Sequence, residues 1–258
     1  MHMAKHCSLK GVMNTKIIVY IPCLNRKRIV EQCLPTVESG LEPQDLLSIW
    51  NDGSTEYDDY WLRQFGDEVR HPRNPDGEQI LISVGIEKQR RAHFMDFMCK
   101  KNDHTHMYLT DSDAIHDPNW RAKALEIQDK YFGVPICLYD TKAHSSLIGN
   151  TLEDDPSKDV IWRRVAPGIS YFLTRSHVEK IVQTITHLPD PLNWDWVVPN
   201  ILGNWFAISR TSYVDHVGVQ GIHHPESEGL NGGDRATNPT DWLVAKRAEI
   251  TQKLSNAI

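Results

Sequence analysis

Three short apolar runs, each breaking into a polar cluster, constrain this chain more than any other feature. Ile17-Ile18-Val19-Tyr20-Ile21 ends at Pro22, Leu46 to Trp50 runs into Asn51-Asp52-Gly53-Ser54-Thr55, and His106 to Thr110 runs into Asp111-Ser112-Asp113. Runs this short and this rich in β-branched and aromatic residues read as buried parallel strands. Between them lie two segments with helical spacing. The first places Ile29, Val30, Cys33, Leu34 and Val37 on one face and is predicted to run from Arg26 to Ser39, capped by Asn25 and stopped by Gly40. The second is predicted from Gly85 to Lys101, with Ile86, Ala92, Phe94, Met95 and Met98 along its apolar face. A βαβαβ alternation with short connections implies an α/β fold, its mostly parallel sheet covered by helices on both faces. Ligands of such sheets bind beyond the carboxyl ends of the strands. The three polar clusters, remote in sequence, are therefore expected to meet in space.

Tyr57 to Phe65 reads as a short helix and Asp67 to Gly77 as a loop with room for a brief strand. After Asp117-Pro118 the pattern changes. Helices are predicted at Trp120 to Tyr131, Ser176 to Thr186 (capped by Ser176), Asn193 to Leu202 and Asp241 to Lys253. Strands are predicted at Val134 to Tyr139, Pro167 to Leu173, Trp205 to Ser209 and Tyr213 to Val217, and His144 to Trp162 reads as irregular. A lobe boundary is placed near residue 114, and residues 1–15 read as a poorly ordered N-terminal extension.

Composition removes several function classes. A chain of 258 residues, 40% hydrophobic, suits one α/β unit or two lobes sharing a core. A net charge of -6 speaks against a protein that coats nucleic acid. The five cysteines are scattered with no CxxC pair, so neither a zinc knuckle nor a disulfide framework is indicated, and a reduced, cytoplasmic setting is expected. No apolar run reaches the roughly 18 residues of a membrane span.

The strand-end clusters carry the candidate chemistry. Asp111 and Asp113, one residue apart, can both turn toward a hard cation such as Mg²⁺ or Mn²⁺, which prefers oxygen ligands and keeps open positions for phosphate. Asp52 can accept from a base N–H or a ribose hydroxyl, and Gly53 permits close backbone approach. Lys88, Arg90 and Arg91 open a helix, where the dipole already favours anions, although at least one of the three must face solvent. Each feature alone has an ordinary explanation: a capped loop, an Asn-Asp-Gly turn, a solvated basic face.

Taken in order, IPCLNR (Ile21 to Arg26), NDGST (Asn51 to Thr55), GIEKQRR (Gly85 to Arg91) and LTDSDA (Leu109 to Ala114) resemble the family 2 glycosyltransferases of the GT-A fold. The resemblance covers about the first half of the chain. It implies that Pro22, Asn25 and Arg26 lie near the nucleotide and that Asp52 binds the base. Lys88 and Arg90 would hold the diphosphate, and Asp111, Ser112 and Asp113 would bind metal and the sugar-nucleotide diphosphate. Residues 16–113 would then form the nucleotide-sugar half and residues 114–258 the acceptor-binding half of one domain. The cofactors implied are Mn²⁺ or Mg²⁺ and a UDP-, GDP- or dTDP-sugar; the acceptor implied is a glycan or a glycolipid, with peripheral membrane association if it is lipid-linked. Arg90-Arg91 stands where the family more often has Arg-Asn, and the QxxRW signature of processive synthases is missing, which favours single-sugar transfer.

The second half must supply a base for the acceptor hydroxyl. Asp195, between Trp194 and Trp196, is the candidate, with a tryptophan available to stack on a sugar ring; the plainer alternative is two core tryptophans and a helix-opening charge. His216, followed by Val217 and Gly218, resembles the late histidine that GT-A enzymes bring to the metal, with His223 and His224 as alternatives. Gly229 to Asp234 has the composition of a mobile flap over the donor or, equally, of a disordered loop. Two competing functions are a sugar-phosphate nucleotidyltransferase, whose glycine-rich run after the first strand is missing here, and a non-catalytic nucleotide- or carbohydrate-binding module.

Overall fold

Every residue from Ile17 to Ile21 is fully buried in the computed structural model, which describes residues 15–74, 76–100, 103–190, 192–217 and 235–256. Burial on both faces explains why this segment reads as a continuous apolar run rather than an alternation. The elements are, in order, β1 (Ile17–Cys23), α1 (Lys27–Glu38), β2 (Leu46–Asn51), α2 (Asp59–Leu62), β3 (Glu68–Arg70), α3 (Ile86–Cys99), β4 (His106–Thr110) and β5 (Ala114–His116). They continue with α4 (Trp120–Lys130), β6 (Ile136–Cys137), α5 (Lys142–Ser145), β7 (Thr151–Glu153), β8 (Val160–Arg163), β9 (Ser170–Thr174), α6 (Arg175–Ile185), α7 (Trp194–Ile201), β10 (Phe206–Ser209), β11 (Val214–His216) and α8 (Asp241–Ser255).

Nine strands form one sheet in the order β3-β2-β1-β4-β9-β6-β10-β8-β7. The block β3-β2-β1-β4 is parallel, and only β9 and β8 run against the rest. The registers Cys23↔Asn51 and Tyr20↔Leu109 bring the carboxyl ends of β1, β2 and β4 to one edge, so the three polar clusters leave the sheet side by side. A second, two-stranded sheet pairs β11 with β5 and sets His216 opposite Ala114, one residue from Asp113. Behind it, Leu243 and Ile250 of α8 pack with Ile29, Cys33, Ile115 and Val217, which braces that ribbon against α1.

Several local expectations are corrected. Asn25 does not cap α1. The cap is Arg26, which with Asn25 adopts left-handed backbone (φ 59 and 51), while the Asn25 side chain accepts from Thr55 N at 2.9 Å and Ser54 Oγ at 3.1 Å. The apolar face assigned to α3 is out of phase. Its buried residues are Gln89, Arg90, His93, Phe94 and Phe97, and Met95 is exposed. Helix α6 is capped by Thr174, in a reciprocal box with His177, rather than by Ser176. The stretch read as irregular contains α5, β7 and the buried strand β8. Among the described residues no helix is long and apolar enough to cross a membrane, and Cys23, Cys33, Cys99 and Cys137 are free thiols.

Candidate active site

A cleft of about 340 Å³ opens at the carboxyl edge of the parallel block. Its walls come from all three clusters: Pro22 to Leu24 and Arg26, then Asp52, then Asp111 to Asp113, with Gly85 and Gln89 from the start of α3 and His216 from β11. Asn25 serves the neighbouring turn, and Lys88 points to solvent, so neither forms part of these walls.

Two ion pairs organise the floor. Asp113 Oδ2 is shared by Arg26 Nη1 at 2.5 Å and His216 Nε2 at 3.0 Å. Burial pushes this carboxyl up, but the charges and hydrogen bonds of His216 and Arg26 outweigh it and hold Asp113 well below the usual carboxylate range. Asp111 accepts from Arg90 Nη2 at 2.7 Å. Burial lifts the Asp111 carboxyl above its ordinary value; the Asp113 charge adds to that and Arg90 opposes it. The left-handed backbone at Asn25 and Arg26 turns the chain between β1 and α1, where the Arg26 guanidinium meets Asp113. Backbone of this kind costs about 1–2 kcal/mol per non-glycine residue.

Asp52 is spent on the backbone that forms the opposite wall. It accepts from Val84 N at 2.8 Å, Gly85 N at 3.2 Å and Ser83 Oγ at 2.7 Å, so it anchors the segment leading into α3. Gly53 is required there. Its φ is +74, and a Cβ would stand 2.8 Å from the backbone of Ile82. Deeper in the cleft, Gln89 is fully buried and neither amide atom has a partner among the described residues.

Asp195 opens α7 with its side chain partly exposed. Oδ1 accepts from Gly168 N at 2.8 Å, and Oδ2 lies 3.4 Å from His144 Nε2. Arg90 Nη1 donates to the carbonyl of the same Gly168, which links Asp195 to Asp111 through the backbone of one residue. The two tryptophans divide. Trp194 is core, donating to Glu87 O at 3.2 Å, whereas Trp196 is 53% exposed. Arg91 clamps the end of α6, donating to Ile185 O, Leu188 O and Asp190. His144 escaped the sequence reading because it lies in the stretch taken as irregular; its signal is Thr141, three residues earlier, which caps α5.

His216 is positioned from behind by Asp215, which accepts from His216 N and Ala236 N at 2.9 Å and pairs with Arg247 of α8. The alternatives His223 and His224, and Gly229 to Asp234, lie outside the described residues. Among the described residues no three His, Cys, Asp or Glu side chains gather as a metal cluster: Asp113 and His216 meet, while Asp111 turns to Arg90. Asp113 Oδ2 and His216 Nε2 are an oxygen and an imidazole donor on one wall of the cleft, 3.0 Å apart as an ion pair that a cation bound to both would replace.

No family model matches the chain, and no curated protein matches it by sequence. Solved structures match it in shape. One is S. aureus TarS 1-349 in complex with UDP-GlcNAc, with a TM-score of 0.56 at 14% identity over 83% of this chain and 62% of that one. Another is the mannosyltransferase PcManGT from Pyrobaculum calidifontis in complex with GDP-Man and Mn²⁺, with a TM-score of 0.54 at 12% identity over 80% of this chain and 58% of that one. This chain thus matches less than two thirds of the length of either structure. At such identities the likeness establishes the fold: a GT-A fold, α/β with a large, mostly parallel central sheet.

Proposed function

We propose that this chain is a metal-dependent glycosyltransferase that moves one sugar from a nucleotide-sugar donor to a hydroxyl of a glycan or glycolipid, with inversion at the anomeric carbon. One observation carries the reading. A cleft built from three strand ends on a GT-A fold is tied, through Arg90 and Gly168, to a partly exposed carboxylate on the other side of the sheet edge. In this reading residues 16–113 hold the donor and residues 114–258 supply the acceptor side, in a cytoplasmic setting.

The charges support metal dependence. Arg26 and Arg90 already offset Asp113 and Asp111, so an incoming diphosphate needs further positive charge. Asp113 and His216 would hold Mn²⁺ or Mg²⁺, the carboxylate oxygen being the donor that suits either ion. When bound, that ion neutralises charge on the departing diphosphate. Arg26 and Arg90 steady the phosphates by charge-assisted bonds. Asp52 holds the wall against which the base lies. Asp195 takes the proton of the acceptor hydroxyl as its oxygen attacks the anomeric carbon, and the carbon–oxygen bond to the diphosphate breaks.

The test is thermal unfolding with UDP, GDP, dTDP and CMP, each with and without Mn²⁺, followed by turnover of the sugar nucleotides of whichever nucleotide binds. A metal-dependent rise in melting temperature with one nucleotide, and release of that nucleoside diphosphate, is the expected result. No shift with any of them overturns the reading.

A further inference from the structure

We propose that His144 is a positioning residue for Asp195: it holds the base carboxylate in the orientation that meets the acceptor. The inference rests on the reading of Asp195 as base. The geometry begins at α5. Thr141 Oγ1 accepts the His144 backbone N–H at 3.2 Å and stands 2.9 Å from His144 Nδ1. A threonine hydroxyl can give one proton and accept two, so Oγ1 can take the backbone N–H and donate to Nδ1 at once. In the proposed arrangement Nδ1 accepts that proton and the ring proton sits on Nε2. Nε2 is the nitrogen that faces Asp195 Oδ2, at 3.4 Å.

Asp195 is thereby held from two sides. The Gly168 N–H fixes Oδ1 and the imidazole faces Oδ2. A carboxylate has about four lone-pair sites, so acceptor contacts remain open. His144 is not itself the base, because Thr141 occupies one ring nitrogen and Asp195 faces the other. The nearby Asp140 is bonded elsewhere: Arg163 Nη2 donates to its Oδ2 at 2.9 Å. During transfer the acceptor proton moves to Asp195 and none moves to His144. The imidazole keeps the carboxylate aimed.

Two measurements test this. The first needs no substrate. Long-range ¹H–¹⁵N spectra of histidine-labelled protein, above the histidine titration range, should show His144 with its proton on Nε2, and Thr141→Val should shift it toward a mixture. A His144 proton on Nδ1 in the wild-type protein overturns the proposal. The second is nucleoside diphosphate release from a panel of UDP-, GDP- and dTDP-sugars with Mn²⁺. His144→Ala should lower kcat about tenfold with donor KM unchanged, His144→Gln should recover most of the loss, and the double variant with Asp195→Asn should be no slower than Asp195→Asn alone. Losses that multiply in the double variant, or a change confined to donor KM, overturn the proposal while leaving Asp195 as base. Wild-type turnover in Asp195→Asn overturns the base assignment, and the proposal with it.

Discussion

Arg90 and Asp195 meet on one residue: Arg90 Nη1 donates to the carbonyl of Gly168, and the Gly168 N–H donates to Asp195 Oδ1 at 2.8 Å. The other end of the same guanidinium lies 2.7 Å from Asp111. The backbone of one residue therefore sets the spacing between the carboxylate that follows β4 and the one that opens α7.

Gly168→Ala tests that spacing. A Cβ at this position would stand 2.6 Å from Asp195 Oδ1 and 2.7 Å from Arg90 Nη1, both closer than a real methyl tolerates. Each side chain must move. A displacement near 1 Å at a reacting group costs on the order of a hundredfold in rate. Turnover should fall by about that factor, and stability by about 1–3 kcal/mol through overpacking. Steady-state kinetics with a melting curve checks both. Wild-type kcat in a folded variant would show that Asp195 is not held for chemistry.

Asp113→Asn tests the metal pair. The substitution keeps the shape and removes the charge that Arg26 and His216 share. Breaking a partly buried pair from one side costs about 3 kcal/mol. The free protein should be destabilised by about that amount, and the extra melting-temperature rise that Mn²⁺ gives in the presence of nucleotide should vanish. Calorimetry of Mn²⁺ binding with and without nucleotide gives the same answer independently. Retention of the Mn²⁺-dependent shift would remove Asp113 from the metal site.

The parallel half of the sheet was legible because β1, β2 and β4 are short, buried and end abruptly in polar residues, and the rule that ligands lie beyond such ends brought the clusters together. The late elements were blurred because β6 to β8 span only two to four residues each, too few for a period to declare itself. Helix α3 misled for a different reason. Its inner face carries Gln89, Arg90 and His93, so apolar residues alone point to the wrong side. Local patterning fails where polar side chains are buried against partners of their own, and Arg90 is buried because it bridges Asp111 and Gly168. The Asn25 cap failed likewise, because the chain spends that residue on the turn at Ser54 and Thr55.

Gln89→Leu should trade binding for stability. The amide is fully buried at the cleft and neither polar atom has a partner among the described residues. An unpaired buried amide costs about 1–3 kcal/mol, whereas leucine fills a similar volume without that cost. The free variant should unfold at higher denaturant by about 1 kcal/mol, within that range. Its affinity for the nucleotide that wild type binds should drop, since a carboxamide suits the donor and acceptor edges of a base. Urea titration and calorimetry measure the two effects. Unchanged nucleotide affinity would count against a ligand-facing amide.

Acid should destabilise the fold in a window set by buried histidines. Burial holds His106 and His177 down at about 4 and His116 at about 3, with the His93 imidazole lowered in the same sense. In the unfolded chain each returns to about 6.5. Between the two values the unfolded state binds protons that the folded state refuses, so stability is complete above about 6.5 and falls as pH drops, by up to about 1.4 kcal/mol per pH unit for each histidine. His177→Gln isolates one of them. His177 Nδ1 accepts the Thr174 N–H in the capping box at 3.2 Å, and a glutamine oxygen can take the same bond without titrating. The variant should match wild type near neutral pH and lose stability less steeply below about 6.5, by one proton's worth of slope. Parallel pH–stability curves for the two proteins would mean that His177 charges freely in the folded state.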